Sequence, residues 1–598
     1  MSDSPSLRKQ PLWGGSRGAC LAALALLNVL PTYAAGDAAR GRALAETCVP
    51  CHGNAGVSAS PAFPILAGQQ YDYLISAMNA YLGGSRQDSI MGGAIRNLSA
   101  AQIEDLAAYY ASLSGLRPAA GSPAAAPSSG SVPSAALAAA QAAADAARSL
   151  VPPPPRAAQR GRDPDARERA ACAVVTRRAI GLPPNADRDG DGVTDLDDAA
   201  PDDARAFAVD ADGDGYLAVC NAGQLRAVGR SGTTWLRQRF ELVADLDMSG
   251  SALEPIGNCG PANNCMLARD QFGYAAHFDG NGHVLRGVRI VRAEGGGVGL
   301  FGTLAREGAV TRVVLREAQV QGANGVGLLV GASFGVVAAC DAQGRVTGRV
   351  AVGGLVGGNA GRIIDSRADV QVEAMAAAGG LAGDMNGTVE HSSARVSLKA
   401  GKGVGGLVGL STYGRVLESA AFGEVAGVDN VGGLVGVNTD ALLEASEARV
   451  TVLASGTNVG GAVGYSAQSL LRDVVARGAV RGRSAVGGLV GRNSGAVLQA
   501  FSTGKVEGES AVGGLIGDNM GGTVRGALFD RDTAGVATGA GHARSTAEMQ
   551  AMTATEVAWD DANRSCRASM EMRTSSVWIF APSRDYPRIG CLPRGVAP

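Results

Sequence analysis

From about residue 231 the chain becomes a succession of short β-branched runs cut by glycine, and the cuts recur. Aligned on one core they read VGLFG from Val298, VGLLVG from Val326, VGGLVG from Val352 and AGGLAG from Ala378. The series continues as VGGLVG from Val404 and Val431, VGGAVG from Val459, VGGLVG from Val486 and VGGLIG from Val512, nine copies spaced 26 to 28 residues apart. Each copy reads as a Val/Leu core strand, a turn often holding Asn and Gly (GGNAG, GDMNG, GRNSG), and two more short strands such as RIIDSRADVQV. No helical run fits inside a repeat, which excludes solenoids of paired helices. One copy cannot bury its apolar face alone. Nine copies stacked at about 4.8 Å per coil give a continuous core roughly 40 Å long with its backbone groups paired. The expectation is a parallel β-helix over 231–532, followed by a C-terminal cap over 533–598.

Before residue 117 the pattern is helical. GDAARGRALAETC has helical spacing, YDYLISAMNAYL is amphipathic, and LSAAQIEDLAAYYASL opens on Leu98-Ser99 with acidic residues in its first turns, as a capped helix does. These runs predict a small all-α domain over 36–116. Residues 117–170 collapse into Ala, Pro, Ser and Gly, with PPPP at Pro152 to Pro155. Such a stretch cannot bury enough apolar surface to fold and reads as a disordered, semi-rigid tether. Residues 171–230 form an acidic segment. The first 35 residues place Arg8, Lys9 and Arg17 before the apolar run CLAALALLNVL, then offer small residues for cleavage after Ala34 or Ala35. That is the layout of a secretory signal peptide, with a run too short to span a bilayer. The expected location is periplasmic or extracellular, with no integral membrane segment once the signal is removed.

Composition narrows the function. Net charge is −2, which argues against nucleic acid as a partner held by bulk charge. Aromatics are only 4% while glycine numbers 87, a balance that suits a repetitive turn-rich architecture. Export makes disulfides available to the ten cysteines. Cys259 and Cys265 share one loop, Cys566 and Cys591 lie in the tail, and Cys172 and Cys220 flank the acidic segment. Cys340, in VVAAC, is expected to be a buried free thiol.

Two motifs carry candidate chemistry. In ETCVPCHGNAG, Cys48 and Cys51 lie at i and i+3 with His52 adjacent. Two thiols on one side of a helical turn can form thioethers with haem vinyl groups while the histidine meets the iron. A redox dithiol would want a βαβ context, and zinc would need a second ligand pair; 36–116 holds neither. Chance remains open on the motif alone. In the acidic segment, Asp187, Asp189 and Asp191 take positions one, three and five of a loop, with Gly192 at six, Asp195 at nine and Asp198 at twelve. Alternate carboxylates before a turn-forming glycine supply the oxygens a hard cation takes, so calcium is the expected ion. Asp210, Asp212 and Asp214 begin a second, less complete loop.

The β-helix offers one further candidate row. Aligning the repeats stacks Asp365, His391, Glu418, Ala445, Asp473 and Gln499 in a column. A polysaccharide-acting enzyme would want recurring acidic and basic groups there. The column has no recurring carboxylate pair, and the plainer reading is an outward, solvated strand position.

Three resemblances extend this reading. GDAARGRALAETCVPCHGNAG, with PAFPILAGQQYDYL, SIMGGAIRNLS and IEDLAAYYASL, resembles a small class I cytochrome c over residues 36–115. That resemblance implies one covalent haem c, Met91 as second axial ligand in preference to Met78, Pro64 and Gly68 in the haem-lining loop, and Arg86 at a propionate. It also implies a close crossing of first and last helices at Gly41 and Tyr109 or Tyr110. The acidic loops resemble thrombospondin type 3-like calcium repeats. The VGGLVG copies, with the entry segments FELVADLDMSG, LEPIGNC and AAHFDGNGHVLRGVRIV and the closing segments STAEMQAMTATEVAWD and VWIFAPSRDYPRIG, resemble the GLUG repeat of exported bacterial proteins. The expected function is one-electron transfer by an exported carrier, rather than catalysis, with a redox partner protein and a β-helix serving as scaffold or as a module for a glycan or other surface ligand. The alternatives are a surface adhesin with an accessory haem domain and a polysaccharide-acting enzyme.

Overall fold

Residues 37–52, 56, 66–67, 74–75, 78, 91, 94–95, 98–113, 186–188, 194–195, 198, 207–210, 212–230, 235–250, 252–257, 273–553, 566, 577–580 and 585–593 are described in a computed structural model of the chain. The chain divides into two units, Met1–Gln141 and Ala142–Pro598.

In the first unit, Asp37 caps α1 (Ala38–Leu44) by accepting from the Ala39 and Arg40 amides. A 3-10 turn over Ala45–Cys48 and the short α2 (Val49–His52) follow without a break. The last helix, α3 (Ala100–Ser112), begins with a reciprocal capping box between Ser99 and Gln102. Helices α1 and α3 cross at Gly41, where any Cβ would collide with the Asp105 carbonyl. Asp105, at the same crossing, accepts from the Asp37 amide at 2.6 Å and from Arg40 Nε at 2.8 Å. Hydrogen bonding to Arg40 and to the Asp37 amide holds its carboxyl below the usual aspartate range. Leu74, Met78, Ile95, Ile103, Leu106, Ala107 and Tyr110 form the core between the helices.

The second unit is a parallel β-helix with one long sheet and two sheets of nine strands. A representative coil runs Val350–Gly353, Val356–Asn359, Arg362–Ile364 and Arg367–Glu373. Successive coils pair in register, so that Val352, Ala378, Val404 and Val431 stack in one column. Val356, Ala382, Val408 and Val435 stack in another. Each fully buried Val or Leu contributes about 1.5–3 kcal/mol. The parallel ladder begins at Leu217–Val219, paired with Phe240–Leu242, so the boundary expected at residue 231 falls inside the β-helix.

The VGGLVG core differs from the single strand expected. It is a corner: the first Val-Gly ends one strand, Gly-Leu turns, and the second Val-Gly starts a strand of a different sheet. The second glycine is required by close approach. A Cβ at Gly354 would strike the Gly380 carbonyl, one at Gly380 the Gly406 carbonyl, and one at Gly406 the Gly433 carbonyl.

A buried serine ladder runs parallel to these corners. The Cys340 amide donates to Ser366 Oγ at 3.2 Å, that of Ser366 to Ser392 Oγ at 3.1 Å, and that of Ser392 to Ser419 Oγ at 3.1 Å. Each of these hydroxyls donates to the carbonyl two residues back, so both groups are satisfied inside the core. Cys340 stands at the start of the ladder as a buried free thiol, pushed by burial up to about 12.

Aromatic residues concentrate at the ends. Phe207, Trp235 and Phe240 pack together near the first coils, as do Tyr274, Phe278 and Phe301. The amphipathic α4 (Ala222–Arg230) sends Leu225 and Val228 into the same core. At the other end, His542–Arg544 pairs with Leu528–Asp530. Residues 577–580 and 585–593 do more than close that end, because they return along the flank of earlier coils. Trp578 Nε1 donates to Asp473 Oδ1 at 2.7 Å, Arg477 to the Pro587 carbonyl at 2.7 Å, and the Tyr586 hydroxyl to Asp530 Oδ2 at 2.6 Å. A Cys566–Cys591 disulfide ties the segment together. Cys220 is disulfide-bonded as well; Cys172, Cys259 and Cys265 lie outside the described residues.

Candidate functional site

Cys48 ends the 3-10 turn, and Cys51 and His52 lie on α2, so the three follow one another on continuous helical turns. His52 is 6% exposed. Cys48 is half-buried, is not in a disulfide, and packs at the margin of the helical core. Met91 packs at that same margin, whereas Met78 is one of the buried members of the core itself. Pro64, Gly68 and Arg86 lie outside the described residues.

The two tyrosines have separate tasks. Tyr109 Cβ is among the nearest atoms to a Cβ placed on Gly41, so Tyr109 belongs to the helix crossing. Tyr110 packs on Gly56, which at φ +73° leaves no room for a Cβ beside its ring. Gly56 also accepts from the Leu66 and Ala67 amides at 2.8 and 3.1 Å. Gly56 was not singled out from the sequence; the signal lay in its place four residues beyond the motif histidine. The Tyr110 hydroxyl is buried with no hydrogen-bond partner among the described residues. Burial, with the Cys48 thiol close by, pushes it well above the ordinary tyrosine value.

In the acidic segment, Asp189 and Asp191 lie outside the described residues. Asp195, nearly buried, accepts from the Arg188 amide at 2.9 Å and faces its guanidinium at 3.4 Å. The carboxylates of Asp210, Asp212 and Asp214 lie within 4.8 Å of one another. Their loop is shaped by Asp210, which accepts from the Gly213 and Gly215 amides at 2.7 and 2.9 Å, and it leads directly into the first β-helix strand.

The column from Asp365 to Gln499 is not an outward strand position. Asp365, His391, Glu418, Ala445, Asp473 and Gln499 all have φ between +46° and +55°, and each forms a left-handed corner within the long sheet. Their exposure varies because their surroundings do. His391 Nδ1 lies 2.5 Å from Asp365 Oδ1, while Glu418 and Asp473 are buried and Asp473 is held by Trp578. A row whose later members are engaged by the chain's own tail is not a uniform catalytic face.

The helical domain has close relatives. Residues 38–114 match the family model described as Cytochrome c. Cytochrome c-554(548) of Halomonas halodenitrificans is 43% identical over 81 residues, 13% of this chain and 98% of that protein. Cytochrome c4 of Pseudomonas aeruginosa is 48% identical over 80 residues, 13% of this chain and only 40% of that protein. Over a stretch longer than the helical domain, the chain is also similar to Halomucin of Haloquadratum walsbyi, 34% identical over 137 residues, 21% of this chain and 1% of that protein. The cytochrome c family implies covalently bound haem c. The residues present fit that group: a Cys-x-x-Cys-His run on continuous turns, a thiol outside any disulfide at the core margin, a buried histidine, and a buried hydroxyl lacking a partner among the described residues. With nearly the whole of one such protein aligned at this identity, the chain belongs to the cytochrome c family through its residues 38–114.

Proposed function

We propose that the chain is an exported one-electron carrier whose haem domain is tethered, through residues 117–170, to a β-helix acting as scaffold or binding module. The observation that carries the reading is the run Cys48–His52 on consecutive turns at the margin of a core that Met91 also borders. In this reading Cys48 and Cys51 would hold haem c through thioethers, each S–H bond adding across one of its vinyl groups with the hydrogen passing to a vinyl carbon, His52 and Met91 would ligate the iron, and Pro64 and Arg86 would line the pocket. Bound haem c supplies an Fe(III)/Fe(II) couple. His52 and Met91 together would leave the iron no position for substrate, and the apolar core beside them would tune its potential. Tyr110 presents its hydroxyl to that same region. The partner is a redox protein reached in the periplasm or at the cell surface. The test is the absorption spectrum of the purified protein, which should show a reversible c-type change on reduction. A chain isolated from a cytochrome-c-maturing host without that change would end the proposal.

Calcium belongs to the same reading. Asp187, Asp189, Asp191, Asp195 and Asp198 would hold one ion and Asp210, Asp212 and Asp214 would contribute to another. Neutralising three carboxylates this close together relieves their mutual repulsion. Because the second loop runs straight into the first coil, chelation should lower the melting temperature of the β-helix. Readdition of calcium, but not of magnesium, should restore it. An identical melting curve in chelator would remove calcium from the description.

A further inference from the structure

The long sheet carries an outward strip whose character changes along the axis. In register from coil to coil, one of its columns reads Asp341, Arg367, Ser393, Ala420, Glu447, Val475, Phe501 and Leu528. From Val475 onward the strip is apolar and is covered by the returning tail, with Met549, Met552 and Val577 packed on it. Towards the first coils it is charged instead, and a groove of about 250 Å³ lies there.

The groove draws its lining from five successive long strands, Val314–Gln321, Asp341–Thr347, Arg367–Glu373, Ser393–Lys399 and Ala420–Gly427. Four strand spacings make it about 19 Å long. A volume that small over that length suits an extended chain molecule and not a compact cofactor. Two of its three arginines are held in advance. Arg316 is fixed by a two-pronged pair with Asp341, at 3.0 and 3.1 Å. The Arg395 guanidinium rests over the buried Phe422 ring, 5.9 Å from its centre. Asp369 and Gln343, both exposed, supply acceptors between these donors. Three arginines face two aspartates, so the groove has little net field with which to hold a polyanion.

We propose that this groove binds a neutral, hydroxyl-rich glycan chain lying along the β-helix axis. Sugar hydroxyls donate and accept at once, and neighbouring hydroxyls on a ring match forked groups such as guanidinium and carboxylate. A lining that alternates fixed donors with exposed acceptors, coil after coil, meets that demand repeatedly along a polymer. Pre-positioned side chains also reduce the ordering cost of binding. The proposal deepens the reading of the β-helix as a binding module and rests on that part of it, not on the haem.

The test is affinity gel electrophoresis of the full-length holoprotein in native gels. Separate gels contain soluble neutral polysaccharides (glucomannan, xyloglucan, dextran) or uronate polysaccharides (alginate, polygalacturonate). Retardation is expected in at least one neutral gel, with the apparent dissociation constant raised at least tenfold by Asp369→Ala and by Arg395→Ala. Tyr413→Ala, at an exposed position outside the groove, should leave retardation unchanged. Retardation only in the uronate gels, none in any gel, or equal retardation of the groove variants would each overturn the proposal. Haem staining of the same bands reads the electron-carrier assignment independently, so either half can fail alone.

Discussion

Replacing Cys48 and Cys51 together by alanine is expected to abolish haem staining of the protein on a denaturing gel. The effect should be complete, because covalent attachment survives denaturation and coordination alone does not. Residues 38–114 contain no other cysteine, so no second attachment is available within the matched domain. The double variant should also lose folded helical signal. Among the described residues only nine hydrophobic side chains of this unit are buried, three of them alanine. A domain of this size has little stability to spare when a large apolar group is withdrawn from its core. Staining retained in the double variant would sink the assignment of these two thiols. Retained staining in a Met91→Ala variant would be consistent with it, since an axial methionine forms no covalent bond to the group.

The second large effect is expected from Gly406→Val, which should unfold several coils of the β-helix while leaving the haem spectrum unchanged. A side chain at Gly406 meets the Gly433 carbonyl of the next coil and the Ala421 methyl at once. Overpacking of flexible side chains costs about 1–3 kcal/mol, and an obstruction made of paired backbone should reach the top of that range or beyond. The coil cannot retreat, because Gly406 is itself what a side chain on Gly380 would strike. Gly358→Val is the matched comparison. Nothing lies within 4 Å of a Cβ there, and three registers along a valine, Val437, already occupies the equivalent column. Thermal melting followed by far-ultraviolet circular dichroism should separate the two variants clearly. Equal melting would show that the glycine column is not required for close approach.

The parts legible in the sequence were those encoded locally. The Cys-x-x-Cys-His run and the capped last helix occupy a few consecutive residues each, and the 26–28-residue period survives any substitution that keeps Val, Leu and Gly in place. The role of VGGLVG was misread because a short apolar run with glycines looks the same in a strand and around a corner. The left-handed column was illegible for a different reason. Positive φ is usually announced by glycine or asparagine, yet here Asp, His, Glu, Ala and Gln adopt it in turn, held by coil-to-coil hydrogen bonds. Its signal was one residue further on, where Ser366, Ser392, Ser419 and Ser446 recur inside otherwise apolar stretches. The tail was legible as a closing segment, but not its return along earlier coils: Trp578 and Asp473 are 105 residues apart, and nothing local joins them.

The covered ends of the β-helix bear on how such a protein stays dispersed. A stack of parallel coils ends in a row of unpaired amides and carbonyls, which is a template for joining another chain. Here α4 and the aromatic group close the first coils, and His542–Arg544 adds a strand beyond the last full coil before the chain leaves the stack. The same closures make the interior coils a hidden liability. A protease cut between two of them would bare a fresh edge complementary to its own severed face, and fragments would then join end to end into filaments. Slow turnover from the termini, and not internal nicking, is the degradation route such an architecture tolerates.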